Sequence, residues 1–75
     1  MEWREHIVAD PEVLTGKPVI RGSRVAVEFV LDLLVQGWAE ADICREYRLD
    51  QAGVRACLAY ARARLTDEKV FPAAA

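Results

Sequence analysis

The alternation of apolar and polar residues changes period once along this chain, near residue 27. Before it, short β-branched runs are separated by turn residues. His6-Ile7-Val8-Ala9 reads as extended chain, Asp10-Pro11 to Gly16 as a turn, and Pro18-Val19-Ile20 as a second strand. A proline opening that strand suits an edge, where no ladder donor is missed. Arg21-Gly22-Ser23-Arg24 makes a second turn, leading into Val25-Ala26-Val27.

From Val27 to Gln36 the period becomes helical, and Gly37 stands where a left-handed helix stop is expected. Glu28, Asp32 and Gln36 form one narrow polar stripe, and Phe29, Val30, Leu31, Leu33, Leu34 and Val35 cover the other sides. A helix apolar on most sides is buried on most sides, which predicts a neighbour beyond the chain's own helices, in a homodimer. A second helix is expected over Glu40 to Tyr47, with Ile43, Cys44 and Tyr47 inward. After Arg48-Leu49, Asp50 is placed to cap a third helix reaching Leu65. Its expected core stripe is Val54, Cys57, Leu58, Ala61 and Leu65, while Gln51, Arg55, Ala59 and Arg62 share another face. Gly53, in its first turn, is expected to weaken it slightly. The fold class is therefore mainly α: one domain over residues 1-75, with a β hairpin and turns (6-27), a three-helix bundle (27-65) and a frayed tail (66-75) on which Val70 and Phe71 are available to dock.

Composition sharpens this in two ways. The 75 residues are 53% hydrophobic, generous for so small a body and in keeping with apolar surface shared between chains. The net charge of −2 argues against a surface basic throughout, yet the charges are sorted. Residues 13–27 carry Lys17, Arg21 and Arg24 without an acid, and residues 51–66 carry Arg55, Arg62 and Arg64 without an acid. Between them lie Glu28, Asp32, Glu40, Asp42, Glu46 and Asp50 against Arg45 and Arg48. No signal peptide or membrane-length apolar run is evident, and a reduced, cytoplasmic setting is expected for Cys44 and Cys57.

Catalytic chemistry finds little support. Gly16-Lys17 lacks the earlier glycine and following Ser or Thr of a phosphate loop, and Pro18 removes a backbone donor there. His6, Cys44 and Cys57 are too few for a structural zinc site, and a Ser23-based triad has only His6 to draw on. The expectation is no enzyme, no cofactor and no metal.

The short helix, brief break and long helix instead fit a helix-turn-helix, whose second helix enters the major groove. Gln51 and Arg55 are then the base-reading residues and Arg62 a phosphate contact. A three-helix bundle with solvated arginines fits the pattern equally well.

The stretch GKPVIRGSRVAVEFVLDLLVQGW, followed by ADICREYRLDQAGVRACLAYA, resembles the prokaryotic family known as domain of unknown function 433. The resemblance covers residues 7 to 61, with Ser23 where Thr is usual, Ala26 where Pro is common, Ala39 where Ser or Thr caps, and Arg48 in place of Pro. It implies a homeodomain-like helix-turn-helix and a VapB-type antitoxin, paired with a PIN-like nuclease and repressing its own operon at an operator DNA. The competing expectation is an interaction module that dimerises and binds a protein partner without binding DNA. Lys17, Arg21 and Arg24 are expected first as a structural bracket, and second as contacts to a partner or to DNA backbone.

Overall fold

The computed structural model describes residues 1–66; most of the expected tail, with Val70 and Phe71, lies outside the described residues. Strand β1 (Ile7–Ala9) pairs antiparallel with β2 (Pro18–Ile20), in the register Ile7↔Ile20, Val8↔Val19 and Ala9↔Pro18. The expected second turn then folds the chain back: Ser23 Oγ donates to the Ile20 carbonyl at 2.8 Å and accepts from the Val25 amide at 3.0 Å. Ala26 consequently bridges Val19 from the other side, so β2 is flanked on both edges at that residue.

Three helices follow: α1 (Val27–Val35), α2 (Glu40–Tyr47) and α3 (Gln51–Thr66). The end of α1 is the expected glycine stop. Gly37 has φ +96°, its amide donates to the Leu34 carbonyl, and the Trp38 amide donates to the Leu33 carbonyl. This pair of bonds satisfies carbonyls the helix would otherwise leave open. Helix α2 begins at Ala39 without a side-chain cap and ends at Arg48, which is left-handed at φ +54°. A proline, fixed near φ ≈ −65°, is incompatible with the backbone found at this position. Asp50 caps α3 as expected, its Oδ1 accepting from the Gly53 amide at 2.8 Å.

The core joins both strands to all three helices through Ile7, Ile20, Val27, Val30, Leu33, Ile43, Val54, Ala56 and Cys57. Two sequence expectations change here. In α3 the buried face is Gly53, Val54, Ala56 and Cys57, whereas Leu58 and Leu65 are 42% and 61% exposed. Small residues let α3 approach β2 and α2 closely, and its larger leucines are left outside. In α1 the unmet burial is narrower than the sequence suggests. Val27, Val30 and Leu33 are buried and Leu31 and Leu34 half-buried, so only Phe29 and Val35 among its apolar residues are exposed. Phe29 also meets Tyr47 edge-on, with ring centroids 5.1 Å apart.

A short 3-10 turn at Trp3–Glu5 precedes β1. Trp3 lies edge-on to Tyr60 of α3 at 5.0 Å, which fastens the N-terminal segment to the last helix. The fold is thus a two-stranded hairpin followed by three helices, mainly helical as the sequence implies.

Candidate nucleic-acid interface

Helices α2 and α3 are joined by three residues, Arg48 to Asp50. Fully buried Ile43 on α2 and Val54 on α3 belong to the shared core, so the orientation of the outer face of α3 is set from beneath. On that outer face Gln51, Arg55, Leu58, Arg62 and Leu65 are all exposed. They recur at alternating steps of four and three residues, which keeps them on one side of a helix. All three residues predicted to contact DNA therefore share one solvent-facing stripe, together with two leucines expected in the core.

The three predicted contacts differ in their surroundings. Arg55 Nε donates to Glu40 Oε1 at 2.8 Å and to Oε2 at 3.2 Å, tying α3 to the first residue of α2. Arg62 makes no ion pair among the described residues and borders a shallow hollow with Met1, Arg55, Leu58 and Ala59. Gln51 lies beside Ala41, Cys44 and Arg45 near the start of α3. Arg45 is held by Asp42 at 2.6 Å. Glu40 is a neighbour of Arg55 that sequence reasoning missed; fifteen residues separate the two, so no local spacing signals the pair.

The cations of the opening stretch do not converge. Lys17 Nζ reaches Glu28 Oε1 on α1 at 2.6 Å, and Arg21 Nε donates to the Glu5 carbonyl at 2.9 Å. Arg24 is exposed and makes no ion pair among the described residues. Lys17 and Arg21 thus each contact a neighbouring element of the same chain.

A second surface feature lies beside the N-terminal half of α1. Leu14, Thr15 and Gly16 all have positive φ, at +48°, +55° and +85°. Left-handed backbone costs a non-glycine residue about 1–2 kcal/mol, so two such residues in succession make a strained turn. It forms one wall of an open groove lined by Lys17, Ala26, Glu28, Phe29 and Asp32.

Among the described residues no three His, Cys, Asp or Glu side chains gather to hold a metal ion. Cys57 is fully buried, and burial pushes its thiol up to about 12, well above the ordinary 9.0. Such a thiol is a small hydrophobe rather than a nucleophile.

Residues 7–61 match the family described as Protein of unknown function (DUF433), and the chain belongs to it. No curated protein and no solved structure matches the chain.

Proposed function

We propose that this chain is a DNA-binding antitoxin, which represses its own operon and neutralises a PIN-like nuclease. The observation that carries the DNA half is the exposed, acid-free stripe of α3 behind a three-residue turn. Early residues of such a helix reach base edges in the major groove, where Arg pairs with guanine and Gln with adenine. Gln51 and Arg55 take those roles, and Arg62, two turns on from Arg55, takes a phosphate. The Arg55–Glu40 pair does not oppose this strongly. Both side chains are in part exposed, at 57% and 27%, and an exposed ion pair is worth only about 0–1 kcal/mol. The nuclease half follows from what the family resemblance implies.

The reading includes a homodimer, supported by the apolar side chains that α1 leaves in water at Phe29 and Val35. A dimer presents two α3 helices to half-sites ~34 Å apart. Light scattering at micromolar concentration tests it, and a stable monomer contradicts it.

A specific observation favours the second reading, a protein-binding module without DNA affinity. The groove beside α1 combines exposed Leu14 and Phe29 with Asp32 and the Lys17–Glu28 ion pair. Such an apolar surface, with one acid unmatched by a cation among the described residues, suits a protein partner better than a phosphate backbone. A binding titration against duplex from upstream of the chain's own gene and against random duplex separates the two. Tighter binding to the upstream duplex supports the antitoxin reading. Equal binding, with a retained complex with the neighbouring nuclease, supports the module.

A further inference from the structure

The contact between Glu40 and Arg55 uses only one edge of the guanidinium. Both hydrogen bonds, at 2.8 and 3.2 Å, leave from Nε, and Nη1 and Nη2 have no partner among the described residues. Glu40 is the more buried of the two, 27% exposed against 57%, and stands at the first residue of α2, where the helix dipole favours an acid. An arginine held at Nε by a rooted carboxylate keeps its outer donors free and swings less widely than an unheld one. A guanine presents O6 and N7 as paired acceptors to two such donors.

We propose that Glu40 is a positioning residue, which holds Arg55 through Nε so that its terminal nitrogens read a guanine in the major groove. The inference rests on the DNA-reading proposal and deepens it. Glu40 then has two opposed effects. Its negative charge weakens attraction to any phosphate backbone. Its grip on Arg55 reduces the side-chain ordering that base recognition requires, a gain of about two- to tenfold in affinity for the right sequence. A carboxylate that merely competed with DNA for Arg55 would have only the first kind of effect, and its removal would strengthen binding to every sequence together.

The test uses the full chain as wild type, Glu40→Ala, Glu40→Gln and Arg55→Ala. The probes are a fluorescein-labelled duplex selected by the wild type from a randomised pool, and a scrambled duplex of the same composition. A third probe carries 7-deazaguanine, which lacks the N7 acceptor, at the guanine to which Arg55→Ala has lost its preference. Wild type is expected to lose about tenfold on the 7-deazaguanine probe, and Glu40→Ala about one- to fivefold. Glu40→Ala is expected to bind the scrambled duplex at least as tightly as wild type. Glu40→Gln keeps an acceptor without the charge and is expected to retain most of the wild-type penalty.

If Glu40→Ala keeps the full penalty, or weakens or strengthens selected and scrambled duplexes alike, Glu40 does not position Arg55. Loss of the penalty in Glu40→Gln to the same degree as in Glu40→Ala likewise overturns the role of the acceptor. A wild type that selects no sequence overturns the DNA reading itself, and this inference with it.

Discussion

Gly53 of α3 lies so close to Ile20 of β2 that a Cβ at position 53 would stand 3.1 Å from the isoleucine Cγ2. The same Cβ would meet Asp50 Oδ1 at 3.3 Å, the oxygen that caps the helix. The glycine therefore does not simply weaken α3; it lets the helix seat on the sheet.

Gly53→Ala sets two effects against each other. Alanine gains about 1 kcal/mol of helix propensity over glycine. Crowding a buried β-branched side chain and disturbing the cap costs about 1–3 kcal/mol. The second is expected to win, with a net loss of about 1 kcal/mol in urea unfolding. Gly53→Leu is expected to cost several times more. A stabilised Gly53→Ala would show that Ile20 yields freely.

Much of the framework was legible in the sequence because local chemistry decides it. Gly37 stops α1 and Asp50 caps α3, each by an interaction within a few residues, and Pro18-Val19-Ile20 is set off as a strand by the turn residues on either side of it. The inward face of α3 was legible only in part: Val54 and Cys57 are buried as expected, but elsewhere size was the guide and small residues won. Ala56 and Gly53 are buried where the helix nears β2, while Leu58 and Leu65 have no layer above them within the described chain. Of the candidate site, Gln51, Arg55 and Arg62 share the face their spacing implies. The Glu40 partner depends on tertiary placement of α2 and left no trace in the local pattern.

Thr15→Gly tests the strained turn. A β-branched residue at φ +55° is an outlier, and glycine relieves about 1–2 kcal/mol of strain there. Glycine also adds freedom to the unfolded chain, returning about 0.5–1 kcal/mol. The expected result is a gain of about 0.5 kcal/mol in the unfolding free energy. A loss would mean that the Thr15 hydroxyl, which donates to the Leu14 carbonyl at 2.6 Å, contributes more than the strain.

Cys57 makes stability depend on alkaline pH. Its thiol titrates near 12 in the folded chain and near 9.0 when unfolded, so between those values the folded state binds more protons. Stability from this group is full below about pH 9 and falls as pH rises toward 12. Cys57→Ala lacks this term, so the stability gap between wild type and variant is expected to narrow over that range. A gap independent of pH would contradict the buried thiol. Alkylation of Cys57 at pH 8 is expected only at the rate of unfolding.

On the proposed reading the outer stripe of α3 reads DNA, with Arg55 on a base and Arg62 on a phosphate. A salt-titrated binding assay on duplex from upstream of the chain's own gene, with Arg55→Ala and Arg62→Ala beside wild type, tests it most directly. Arg55→Ala is expected to cost about 1–3 kcal/mol on that duplex and to relax preference at one base. Arg62→Ala is expected to weaken all sequences alike and to flatten the salt slope by about one counterion. Wild-type binding no tighter to the upstream duplex than to random duplex, or identical losses from both substitutions on every sequence, would contradict it.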